Sequence, residues 1–136
     1  MPLSWDENHP NILRMHIPNI RNWGEYDTLM DDVLAEIKAT DERVDVIVTR
    51  DVVRYRNGGL PHIAKAIEAL LEHSNFGLSI SIASETSKFQ ESMMHAIVRR
   101  LGDEAVRRFH FKPSIEVAYA FILEDRIAVD GESKSE

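Results

Sequence analysis

Cysteine is absent from the 136-residue chain, which excludes disulfide bridges and thiolate metal sites and makes a reducing compartment, the cytoplasm, the expected location. No stretch approaches the roughly 18 consecutive apolar residues of a membrane span. The first residues, Met1-Pro2-Leu3-Ser4-Trp5-Asp6-Glu7, carry no basic stretch followed by an apolar core. Neither membrane insertion nor export is therefore expected. Basic residues are outnumbered, 16 against 23 acidic, and the net charge of −7 speaks against nucleic acid as a partner, because phosphate binding needs a basic surface. The chain also lacks a Walker loop, a GxGxxG fingerprint and a nucleophile elbow. Its six histidines, His9, His16, His62, His73, His95 and His110, repeat no metal-ligand spacing. No catalytic residue, metal or cofactor is expected from these patterns.

What remains is an ordinary globular composition, 43% hydrophobic and 29% charged, in a chain the size of one domain. Charge is unevenly placed. Residues 22 to 42 hold Glu25, Asp27, Asp31, Asp32, Glu36, Asp41 and Glu42 against Lys38 alone. Between 86 and 112 the balance reverses, with Lys88, Arg99, Arg100, Arg107, Arg108 and Lys112 facing Glu91, Asp103 and Glu104. Two solvated helix faces account for this, and so do complementary surfaces for self-association or a charged partner.

Along the chain, Leu3-Ser4-Trp5 and Ile12 to Ile17 are apolar-rich runs separated by turn formers, which predicts an opening hairpin. From Asn22 the period changes: Trp23, Tyr26, Leu29, Met30, Val33, Leu34 and Ile37 fall on one helical face, capped by Asn22 with Glu25 three residues on. Val44 to Thr49 is a β-branched run with little alternation, as in a strand buried on both faces of a parallel sheet. Pro61 opens a second helix with the stripe Ile63, Ala64, Ile67, Leu70 and Leu71. Leu78 to Ala83 alternates large and small residues, predicting a strand with a helix packed closely over its small face. A third helix carries Phe89, Met93, Ile97 and Leu101 and stops at Gly102; Phe109-His110-Phe111 is a last short strand. A fourth helix follows Ser114 with Ile115, Ala118, Ile122 and Leu123. The expected fold is α/β: one domain over residues 1–127, with a mainly parallel sheet of four or five strands and helices packed on it. Residues 128–136 have nothing to bury and are expected to be a disordered tail.

This element order, with the hairpin first and a small-residue loop between the central strand and the second helix, resembles the STAS domain over about residues 3 to 127. That family is named for the sulfate transporters and anti-sigma factor antagonists in which it occurs. Its loop carries Asp-Ser-Ser-Gly-Leu, and in the antagonists a serine of the loop is phosphorylated. The matching stretch here is Arg56-Asn57-Gly58-Gly59-Leu60. Gly58 stands at the place of the phosphorylated serine and has no hydroxyl, so the resemblance implies a member without the usual switch. A replacement phosphosite would fall on Ser84, Thr86 or Ser87 of the next loop.

Candidate binding residues gather in the loop from 50 to 60: Arg54, Tyr55, Arg56, Asn57, Gly58 and Gly59, with His62 adjoining and Arg50 at its start. Backbone N–H groups at a helix start attract anions, and guanidiniums add charge-assisted hydrogen bonds. The same glycines also suit a plain connecting loop, and Tyr55 with Val53 suits a protein contact. On the third helix, Met94 and Val98 add apolar surface beyond one face and are the candidate interface of a homodimer. The leading functional expectation is a non-catalytic regulatory or protein-interaction module with a protein partner. The alternative is a carrier or sensor of a small molecule or anion at the strands' carboxyl ends.

Overall fold

The computed structural model describes residues 2–51, 58–83 and 88–134, with side chains through residue 130. Strand β1, Leu3–Trp5, pairs antiparallel with β2, Ile12–Ile17, in the register Leu3 opposite Met15. The hairpin turn is set by Asp6, whose carboxylate accepts the amides of Asn8 and His9 at 2.9 Å each, and by Asn11 in a left-handed conformation at φ 60°. Helix α1, Trp23–Lys38, begins at Asn22, whose side chain accepts the Glu25 amide at 3.1 Å. Glu25 reaches back past the cap to the Arg21 amide at 2.8 Å, so it satisfies the donor one residue before the one a capping box would use.

The parallel strands are β3, Val44–Arg50, β4, Phe76–Ile82, and β5, Phe109–Lys112, and the sheet order is β1-β2-β3-β4-β5. Between them run α2, Gly59–Leu71, α3, Lys88–Leu101, and a short α4, Asp103–Arg108; α5, Ile115–Lys134, closes the described chain. Each crossover steps to the next strand in the same direction. The right-handed rule then places every crossover helix on one face of the sheet. Val33 and Ile37 of α1 and Leu70 of α2 accordingly pack on Leu13, Met15, Val44, Val46 and Val48. The alternate positions Ile12, Ile47, Leu78, Ile80 and Ile82 face the other way, onto Ala118 and Ile122 of α5. Residues 44 to 48 are all buried, which is why the strand shows no alternation in sequence. The sheet and hairpin are as expected from the pattern. No helix among the described residues is long and apolar enough to cross a membrane.

Three features differ from the sequence reading. Helix α4 is too short for a periodic signature; Gly102, at φ 112°, turns the chain out of α3 into it. Helix α5 runs on to Lys134, through a segment expected to be a disordered tail. Its residues 127 to 130 are exposed, so nothing is buried there, but extending a nucleated helix costs little. The third is Asp45, a carboxylate with no solvent exposure inside the β-branched strand. Arg43 donates to its Oδ1 at 3.0 and 3.1 Å, the Leu78 amide donates to the same oxygen at 2.6 Å, and Arg126 of α5 donates from Nε to Oδ2 at 2.8 Å. The register of β4 against β3 shifts by a residue at this point, between Val44 and Val46. Gly77 is required in the shifted segment because a Cβ there would collide with the Asp45 carboxylate and the Arg43 side chain.

Candidate functional site

On the helix-bearing face the strands offer side chains of unequal size. Leu13, Met15, Val46 and Val48 fill the first half of the sheet, but β4, after Phe76 at its start, presents the small Ser79 and Ser81 to the same side. The sequence reading expected a helix pressed closely over these small residues. Instead α1, α2 and α3 stand off and leave a cavity of about 120 Å³ between themselves and the strands. The helices cannot close it because their approach is set elsewhere, by Val33 and Leu70 on the large residues of β2 and β3 and by the packing of Ile63 and Ile67 against Ile97, Val98 and Ala105.

Most of the wall is apolar. Met15 and Val48 form the floor with the two serines, and Met30, Ile67, Leu70 and Met93 form the roof. Polar groups collect toward the carboxyl ends of the strands, where Arg50, Tyr26, Ser81 and Gln90 also line the space. Arg50 is the last residue of β3, in step with Val46 and Val48 and so directed to the same face. Its Nη2 lies 3.4 Å from the Ser81 hydroxyl. Burial pushes the Tyr26 phenol up to about 12; the Arg50 charge opposes that shift and the Asp27 charge adds to it. Like any tyrosine, it is protonated and a hydrogen-bond donor at neutral pH.

The same end is shaped by Trp23, the first residue of α1. Its indole also lines the cavity and lies against the backbone of Gly59, where any Cβ would strike the ring. His62, one turn into α2, stacks on Trp23 with centroids 5.6 Å apart and meets Asp27 through Nδ1 at 2.9 Å. Gly59, one of the sequence candidates, is thus buried in the wall, while His62, another, buttresses Trp23 and stays partly exposed. Gly58 caps α2 in the left-handed region at φ 85°, a conformation that disfavours any side chain, the family's serine included. Arg54, Tyr55, Arg56 and Asn57 lie outside the described residues, as do Ser84, Thr86 and Ser87. Met94 is partly buried and lines the cavity, whereas Val98 is 6% exposed within the α2–α3 packing. Neither offers a broad outer surface.

Two further polar groupings lie on the opposite face, the first of which ties α5 to the hairpin. The Tyr119 hydroxyl donates to Asp6 Oδ2 and receives Arg14 Nη1 at 3.0 Å, while His9 stacks on the Tyr119 ring at 3.9 Å. Burial alone would raise the Asp6 carboxyl. The hydrogen bonds from Tyr119, the Asn8 and His9 amides and the His9 ring more than reverse this and hold it at about 2. At the far end of the strands, His16 joins the Thr49 hydroxyl and the Asp51 carboxylate, each at 2.8 Å. His16 and Thr49 are register partners on adjacent strands, so this chain staples β2 to β3.

The residues that shape the cavity were only half visible in sequence. The sequence marks Arg50 as one of the loop arginines, and the serine alternation of β4 suggests close packing where the structure has open space. The signal that could have found the site was this alternation combined with large residues at the same level on the neighbouring strands. Compared with family models, with curated proteins and with solved structures, the chain matches none of them.

Proposed function

We propose that the chain is a non-catalytic binding module of STAS-like architecture that holds one small, largely apolar molecule between its sheet and its crossover helices. The observation that carries this reading is the cavity itself. It has a volume of about 120 Å³ and a predominantly apolar wall. The space is comparable to the roughly 150 Å³ apolar cavity that accepts benzene in an engineered protein. A branched aliphatic residue at either serine of β4 would occupy part of it, and the chain carries small hydroxyl side chains there instead.

A second observation favours a sensor rather than a store. Leu60 is 49% exposed and Phe89 65% exposed, and they stand in the first turns of α2 and α3, the helices that roof the cavity. A ligand that fixes the spacing of those helices fixes the position of both apolar side chains for a protein partner. Melting of the purified protein with benzene, indole and n-hexanol tests the binding reading. Ligand at about 100 times its Kd stabilises by roughly 2.7 kcal/mol, which raises Tm by several degrees. No rise with any of the three would overturn it.

A further inference from the structure

The charged group of the cavity and most of its polar side chains lie at one end, where Arg50, Ser81, Tyr26 and Gln90 line it. Arg50 carries the charge among the described lining residues, and none of those residues is acidic. A guanidinium only donates hydrogen bonds, and its fork matches the two oxygens of a carboxylate. The Ser81 hydroxyl, 3.4 Å from Arg50, can donate beside it. The Tyr26 phenol, which lines the same space, adds a third donor. Away from this end the walls are Met30, Val33, Ile67, Leu70 and Val46, with no ionisable group.

From this asymmetry we infer that the occupant is a monocarboxylate with an apolar tail, its carboxylate at Arg50 and Ser81 and its tail running inward between β3 and α2. The inference rests on the cavity being a binding site. Tail size follows from volume: about 120 Å³ admits one six-membered ring or an acyl chain of about six carbons. The planar fork of a guanidinium matches the two oxygens of a carboxylate, which is the head group the inference assigns.

Benzoate, benzyl alcohol and benzylammonium share a ring and differ in the head, so their dissociation constants, measured by calorimetry on the wild type, isolate the head group. Benzoate is expected to bind at least about tenfold more tightly than benzyl alcohol, the difference expected for charge-assisted hydrogen bonds, and benzylammonium more weakly than both. Arg50→Met should weaken benzoate by a similar factor and leave benzyl alcohol within about twofold. Alcohol binding as tight as benzoate in the wild type overturns the carboxylate assignment while the cavity reading stands, and needs no variant. Benzoate affinity unchanged in a folded Arg50→Met overturns the role of Arg50. If none of the three binds, the binding site and the ligand class fall together.

Discussion

Arg126 of the last helix donates from Nε to Asp45 Oδ2 at 2.8 Å and holds Nη2 in ion-pair contact 2.7 Å from the same oxygen, and so fastens α5 to a carboxylate buried in the central strand. Arg126 also donates to the carbonyls of Pro10 and Asn11 at 2.9 and 3.1 Å, and Arg43 links the same carboxylate to Asp125 at 2.7 Å. One buried acid thereby joins the hairpin turn, two strands and the helix. Removing one partner of such a group is costly because it leaves charge uncompensated in a low-dielectric interior. Arg126→Met is expected to lower stability by about 3 kcal/mol, read as a lower urea midpoint.

The apolar neighbour of that carboxylate gives a second test on the same face. Ile47 is fully buried against Leu78, Ile80 and Ile122. Its truncation in Ile47→Ala should cost about 2–5 kcal/mol, and an unchanged denaturant midpoint would place the strand at the periphery.

Acid stability should report on Asp6. Its carboxyl sits at about 2 in the folded chain against 3.8 for the ordinary group. A depressed folded value means the stabilisation is complete above about pH 4 and is lost as pH falls through about 2. Asp6→Asn is expected to melt at a lower temperature than the wild type at pH 7, with the gap narrowing toward pH 2. A gap that stays constant with pH would show that the hydrogen bonds to Asp6 do not favour its ionised form.

Filling the cavity should separate stability from binding. Ser79→Val places a branched side chain, at home in a strand, into the empty space beside Val46. Cavity-filling substitutions commonly add about 0.5–2 kcal/mol, so the urea midpoint should rise while the Tm response to benzene shrinks. A variant less stable than the wild type would mean that the space does not accept a methyl pair.

The sheet and its order of elements were legible because hydrophobic periodicity reports what each side chain buries. Val44 to Val48 read as a strand buried on both faces and is one. The same signal is blind to Asp45, since burial of a carboxylate depends on Arg43, Arg126 and the room left by Gly77, residues scattered through the chain that no window holds together. The cavity escaped for a related reason. Serines at 79 and 81 specify only that little volume is used there; whether a helix descends into the space depends on how Leu70, Val33 and Ile67 are held by other strands and helices. Arg50 was visible as a charge, but its direction into the cavity follows from strand parity, which needs the register of β3.

The two faces of the sheet provide an internal control for the binding claim. In methyl-labelled protein titrated with benzoate, saturable chemical-shift changes are expected at Val46, Val48, Ile63, Ile67 and Met93, which line the cavity. Ile12, Ile47, Ile80 and Ile122, packed on the opposite face, should stay in place. Cavity methyls that do not move up to the solubility limit of benzoate, or shifts of equal size on both faces, would contradict a ligand site between the sheet and its crossover helices.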